Sequence, residues 1–253
     1  MKKNSINILP AGSVPFRENK ILYEDRHLIF VNKYCGEIVQ ADATGDVSLE
    51  QSVKRYIKEK YNKENEAFLG VTHRIDRPVS GVVMFARTSK ALVRINRMFQ
   101  QKEIRKTYLA IVKNLPPKES DTLIHYIERN PKKNKSYAYA EKRPDAQPAI
   151  LHYRHIASSD RYHLLEIDLE TGRHHQIRCQ LATIGCPVHG DLKYGCPRSN
   201  PDGGIHLHAR QISLLHPVKN ETIRITAPLP RDVLWEAFRT GLPDDSPAFR
   251  DSD

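Results

Sequence analysis

The chain has 253 residues, 39% hydrophobic and 28% charged, enough to build a real core in one large domain or two small ones. Forty Lys and Arg against thirty Asp and Glu leave a formal charge of +10, which suits a polyanionic partner or a merely basic enzyme. No run approaches the roughly 18 apolar residues of a membrane span; Cys35, Cys179, Cys186 and Cys196 show no paired framework and Met1-Lys2-Lys3-Asn4-Ser5 leads into no signal-peptide core, so the expectation is a cytoplasmic protein with reduced thiols.

Residues 1–20 are mixed and turn-prone and read as a loose N-terminal extension. Ile21-Leu22-Tyr23 and Leu28-Ile29-Phe30-Val31 flank a polar turn and predict a hairpin. Ser48 with Gln51 makes a capping box that opens a helix with Leu49, Val53 and Ile57 on one face. Residues 82–85 form a strand, and Ser89 can cap a second helix with Leu92, Ile95 and Phe99 inward and Lys90, Arg94 and Arg97 outward. After a strand at 108–112, residues 130–148 are rich in Lys, Pro and Ala, with Tyr137 and Tyr139 alternating with small residues, which predicts a hairpin insertion. Strands at 150–156 and 162–169 meet at Ser158-Ser159-Asp160. A third helix runs from about His175 to Thr183, with Ile177, Leu181 and Ile184 on one side and Gly185 as C-cap. Strands at 206–215 and 221–227 pair around Pro217, and residues 241–253 form a tail with two Pro and four Asp. Many antiparallel pairs and few helices predict an α+β fold around a sheet. One domain, 21–240, lies between the extension 1–20 and the tail 241–253.

Two segments carry unusual chemistry. Thr72-His73-Arg74-Ile75-Asp76-Arg77-Pro78-Val79-Ser80-Gly81 packs an acid between two arginines, then shapes a loop with Pro78 and Gly81 ahead of an apolar strand. From the residues alone this is either a surface ion-pair cluster or a loop presenting a nucleophilic or basic carboxylate. Glu170-Thr171-Gly172-Arg173-His174-His175-Gln176-Ile177-Arg178 crowds potential cations into the first turns of a helix, against its dipole. Those side chains are either splayed into water or gathered around an anion, a phosphate or a buried carboxylate such as Asp76.

Both segments resemble signature motifs of the RluA family of pseudouridine synthases. In that family H-R-L-D-x-x-T-S-G holds the catalytic aspartate, and T-G-R-x-H-Q-I-R-x-H-L-x-x-x-G-x-P-x-x-G-D-x-x-Y-G follows later. This chain carries the second almost whole, from Thr171 through Gly185, Pro187, Gly190 and Asp191 to Tyr194 and Gly195. Arg105-Lys106-Thr107-Tyr108-Leu109-Ala110 resembles the family's K-x-Y-x-A strand, and His206-Leu207-His208-Ala209 with His216-Pro217 its C-terminal pair. The likeness spans residues 21 to about 235 in the right order.

The resemblance implies the pseudouridine synthase fold, a central, mostly antiparallel mixed sheet flanked by helices and loops. It implies an isomerase that converts uridines of ribosomal or transfer RNA without a cofactor. Asp76 matches the catalytic aspartate, Tyr108 the tyrosine that stacks on the target base, Arg178 the carboxylate's partner and Ile177 an apolar wall of the base pocket. Arg74 matches a residue that helps displace the base from its helix, a step needed because stacking hides the reacting atoms. His73, Arg77, Lys106, Arg173 and His175 join these as expected substrate contacts. The chain departs from the pattern at Val79 for Thr, Gln180 for His and Tyr34 for Pro, changes that bear on substrate choice. Twenty residues before the first hairpin are too few for the S4-type RNA-binding domain of many relatives. RNA recognition is then expected from the domain's own basic surface, including Lys132, Lys133, Lys135, Lys142 and Arg143, a run that equally suits a solvated hairpin.

Two rival readings compete. Cys179, Cys186, His189 and Cys196, with His206 and His208 nearby, invite a zinc site, but no C-x-x-C pair or H-E-x-x-H element occurs. A catalytically silent RNA-binding protein on the same fold would need basic groups but no acid at Asp76. The expectation is therefore a monomeric enzyme acting on RNA, with no metal, cofactor or membrane partner.

Overall fold

The structure is a computed structural model, and it describes residues 16–239 and Leu242. The expected tail 241–253, apart from Leu242, and the extension 1–15 lie outside the described residues. Within the expected extension, Glu18–Lys20 form a single 3-10 turn, Lys20 is buried, and the rings of Phe16 and Tyr56 lie 5.4 Å apart, while residues 17–19 are exposed.

The first hairpin, β1 (Ile21–Glu24) and β2 (Leu28–Lys33), is antiparallel, and all of β2 is buried. Helix α1 (Leu49–Lys60) starts from Ser48, whose hydroxyl accepts from the Gln51 backbone while the Gln51 side chain accepts from Ser48 N–H. Leu49, Val53 and Ile57 face the core from it, as their spacing predicts, and Tyr56 joins them. A short strand β3 (Gly70–Val71) precedes β4 (Ser80–Ala86), which is buried throughout. Helix α2 (Ser89–Gln100) is capped by Thr88, not Ser89; the Thr88 hydroxyl accepts from Ala91 N–H, and Ser89 is the first helical residue. Its buried face is Ala91, Ile95 and Met98, with Leu92 and Phe99 at the margin.

Strand β5 (Arg105–Val112) is followed by β6 (Ser120–Asn130), which the sequence does not announce, and β7 (Lys135–Tyr139). The expected insertion is thus the turn and second strand of the β6–β7 hairpin, and residues 140–146 connect it to β8 (Gln147–Ser158). Strand β9 (His163–Leu169) returns along β8. Helix α3 (Gln176–Thr183) ends at Ile184, and Gly185 takes the left-handed conformation just beyond, with φ +76°. Strands β10 (Leu207–Leu215) and β11 (Thr222–Thr226) pair antiparallel, and α4 (Val233–Arg239) closes the described chain.

These strands form one mixed sheet in the order β1-β2-β4-β10-β5-β9-β8-β6-β7, with β3 beside β4 and β11 beside β10. Its ladders are antiparallel except where β10 meets β4. This is an α+β architecture. Strand β10 pairs with β4 at His208 and Ala209, then with β11 from Gln211 onward, while β5 runs along its other side. At the parallel crossing Gly81 has φ +119°, and a Cβ there would stand 2.2 Å from the Ala209 carbonyl oxygen, so only glycine fits. The main core lies between the sheet and the first two helices, and α4 covers Leu109, Ile111 and Leu164 with Trp235 and Phe238. Among the described residues no helix is long and apolar enough to cross a membrane.

Candidate active site

The loop between β3 and β4 is fixed from three directions. Ile75 and Val79 are buried and anchor it to the core, and Val79 N–H donates to the Asp76 carbonyl at 3.0 Å. From the end of β2, the buried Lys33 ammonium donates to the carbonyls of Tyr34, Arg77 and Val79 at 3.0, 3.1 and 2.5 Å. Burial pushes this lysine down to about 8, although the three carbonyls suit its ammonium form. From the β10 side, Ile205 N–H donates to the Pro78 carbonyl at 3.0 Å and the Ser80 hydroxyl lies 2.9 Å from His208 Nδ1. A main-chain brace therefore stands where a Thr hydroxyl at position 79 would otherwise help.

The Asp76 side chain, 27% exposed, emerges from this frame toward α3. Arg178 Nη1 donates to Asp76 Oδ2 at 3.0 Å. The same guanidinium is held from behind by Asp191, with Nε to Oδ2 at 2.7 Å and Nη2 to Oδ1 at 2.9 Å. Asp191 is 1% exposed, so a buried, bidentate ion pair aims the third arm of Arg178 at Asp76. His175 Nε2 lies 3.5 Å from Asp76 Oδ2, and its Nδ1 lies 2.9 Å from the Tyr194 hydroxyl. Burial, with the Asp76 charge adding to it, pushes the Tyr108 phenol well above its ordinary range. Tyr108 rises from β5 and Ile177 from α3, both buried in the main core.

Asp76, Tyr108, Arg178 and His175 thus come together from segments up to a hundred residues apart, while Ile177 is buried in the core on the same helix as Arg178. The other expected contacts are placed elsewhere. Arg74 and Arg77, beside Asp76 in sequence, are not its ion-pair partners: Arg77 pairs with Asp46 at 2.6 Å, and Arg74 is exposed near Gln40. His73 Nε2 accepts from Met84 N–H at 3.0 Å with its ring against Phe99, and burial pushes it down to about 3. That ring is tied to β4. Arg173 Nε donates to the Pro148 carbonyl at 3.1 Å. Lys106 opens into a cleft lined by Lys102, Arg105, His152, Asp168 and Glu170, whose charges are largely paired with one another.

The sequence does not single out Asp191, Tyr194 or Lys33 for the site; the first two stand inside a recognised motif without an assigned task. Gln180 donates from its amide to the Leu123 carbonyl at 3.0 Å and to His125 Nδ1 at 3.0 Å, tying α3 to β6, so this departure serves packing. Cys179, Cys186 and Cys196 are buried free thiols, and among the described residues no three His, Cys, Asp or Glu side chains are grouped to hold a metal ion. A partly exposed carboxylate with one oxygen held by a buried cation, near a phenol ring, suits attack on, or proton removal from, a planar ligand.

A family profile described as RNA pseudouridylate synthase matches residues 27–183. An uncharacterized RNA pseudouridine synthase of Chloroflexus aurantiacus is 39% identical over 169 residues, 65% of this chain and 51% of the relative, so the chain spans about half that relative's length. tRNA pseudouridine synthase C of Salmonella typhimurium is 32% identical over 236 residues, 85% of this chain and 86% of that protein. Among solved structures, human RNA pseudouridylate synthase domain containing 4 has a TM-score of 0.72 at 24% identity and covers 87% of this chain and 92% of its own, a likeness of fold.

Proposed function

We propose, from the premise that the chain belongs to the RNA pseudouridylate synthase family, that it isomerises particular uridines of a structured transfer or ribosomal RNA with Asp76 as the catalytic carboxylate. The observation that carries this reading is the Asp76–Arg178–Asp191 arrangement, in which a buried, doubly held guanidinium presents one donor to a carboxylate open to solvent. A purely structural ion pair has no need to leave one acid partly exposed while its partner is buried.

In this reading the target nucleotide leaves its stack and enters between Tyr108 and Ile177, where the ring offers a face for the base. Asp76 then drives cleavage of the glycosidic bond, and rejoining at carbon needs no redox partner or group acceptor. The catalytic domain is 21–240, acting as a monomer without metal or cofactor. Lys132 and Lys133 at the tip of the β6–β7 hairpin, with Lys142 and Arg143, offer exposed cations for phosphates. Lys135 lies over the Tyr194 ring at 5.1 Å and joins that hairpin to the site. The reduced thiols accord with a cytoplasmic enzyme.

The test is pseudouridine formation on transfer and ribosomal RNA transcripts. Asp76→Ala is expected to abolish it while leaving RNA affinity largely unchanged; turnover near the wild-type rate contradicts the assignment. Arg178→Lys is expected to lose most activity as well, because one ammonium cannot bridge both carboxylates in this geometry. Unaltered kinetics would mean that Asp76 relies on another partner.

A further inference from the structure

His175 is an unusual residue to find in its place. It stands at the N-terminal cap of α3 with φ 53° and ψ 26°, the left-handed region that costs a non-glycine side chain free energy, and it is buried. No side-chain capping bond compensates. The ring is stacked on His174 at 3.8 Å and 21°, and the Ser136 hydroxyl, 2.8 Å from His174 Nδ1, fixes that neighbour.

The Tyr194 hydroxyl decides how the His175 ring carries its proton. It accepts from Ser136 N–H at 2.8 Å and lies 2.9 Å from His175 Nδ1. Burial pushes Tyr194 up, so the phenol keeps its hydrogen, and Nδ1 is the acceptor that the described residues place beside it. A phenol donating to Nδ1 requires a lone pair there, which puts the ring's single proton on Nε2. The ring has only one: burial, with Arg178, His174, Lys193 and Arg129 around it, pushes His175 down to about 2. Its Nε2–H faces Asp76 Oδ2, the oxygen that Arg178 also holds. Among the described residues neither a hydrogen bond nor an ion pair reaches Asp76 Oδ1.

We propose that His175 is a positioning residue, a neutral Nε2–H donor with its tautomer set by Tyr194, which together with Arg178 holds Asp76 Oδ2 and leaves Oδ1 as the reacting oxygen. The 3.5 Å separation is longer than a formed hydrogen bond and closes when substrate excludes water, as contacts of resting active sites commonly do. A neutral donor orients the carboxylate without adding a second full charge to it, which Arg178 already supplies. The left-handed backbone is what turns the ring back toward Asp76 rather than out along the helix.

This inference rests on Asp76 being the reacting carboxylate, and the two can fail separately. The tautomer is read without RNA, from long-range proton–nitrogen NMR spectra of protein carrying isotope-labelled histidine, with His175→Gln identifying the signal. A neutral ring protonated at Nε2 that does not titrate around pH 6.5 is expected; a ring protonated at Nδ1, or one that titrates, overturns the proposal. Tyr194→Phe keeps the ring and its packing but frees Nδ1, and is expected to mix the tautomers and lower kcat roughly tenfold or more with KM little changed. His175→Leu is expected to lose more kcat than His175→Gln, whose amide can still donate to Asp76. Equal losses in the two, or wild-type kcat in Tyr194→Phe, would overturn the positioning role while Asp76→Ala remained inactive. Activity surviving in Asp76→Ala would instead remove the reading beneath it.

Discussion

The three carboxylate and guanidinium groups of the site form a chain with very unequal members. Asp191 is 1% exposed and spends both oxygens on Arg178, whereas Asp76 is open and receives one donor. Removing each should therefore cost differently. Asp191→Ala strands a buried cation and is expected to cost about 3–5 kcal/mol, read as a fall in the urea midpoint. Asp76→Asn leaves Arg178 paired and is expected to change stability by less than about 1 kcal/mol while removing activity; the reverse ranking would show that Asp76 is the structural member. At this scale the sequence was legible where a residue belonged to a pattern. Asp76, Tyr108 and Arg178 could be named from motifs, but of the supposed cations at the entrance to α3 only Arg178 meets an acid as a cation, because burial pushes His174 and His175 down and Arg173 turns to the Pro148 carbonyl. Arg74 and Arg77 flank Asp76 in sequence yet do not pair with it, because adjacency in a loop says nothing about direction. Lys33 and Asp191 could not be weighed, since a lone charge after an apolar strand or a glycine ordinarily faces water.

The elements that frame the loop were easier to read than the ladder joining them. β2 and β4 are continuous apolar runs, and α1 announces itself by its capping box. β6 did not, because Leu123 and Ile127 on its buried face alternate with Ile124 and Tyr126 on the other, which blurs a period of two. Thr88 displaced Ser89 as the cap of α2 because either hydroxyl suits the position and the backbone alone decides. The parallel crossing of β4 and β10 depends on one residue at this scale. Gly81→Ala would drive a methyl into the Ala209 carbonyl and hold alanine at φ +119°. The expected loss is roughly 2–6 kcal/mol, overpacking and backbone strain together. Denaturant titration measures it, and a loss under about 1 kcal/mol would mean that β10 can step aside.

For the molecule as a whole, histidine sets the response to acid. Burial pushes His73 down to about 3 and, with Arg178 and His174 beside it, His175 down to about 2; burial acts in the same direction on His125, His163, His174, His189 and His216. In the unfolded chain these rings take up protons near pH 6.5. Below that pH the unfolded state binds protons that the folded state refuses, so stability falls with pH, beginning before most carboxylates titrate. The expected profile declines between about pH 6.5 and 4.5 in urea unfolding, and His73→Gln, which can still accept from Met84 N–H, reduces the slope. A flat profile across that window contradicts the buried, neutral state of these rings.

Strand order was the least legible property at this scale, because no local pattern reports a partner far along the chain. That order also constrains how the protein is made. β10 lies between β4 and β5, yet it is synthesised roughly a hundred residues after β5, an interval of roughly 5–20 seconds on a translating ribosome. Throughout that interval the facing edges of β4 and β5 stay unpaired and open to wrong partners. The Asp76 loop, which leans on Ile205 and His208, waits as well. The nascent chain thus carries every residue of the first motif long before it can hold that motif in shape, and catalytic competence arrives only with its late central strand.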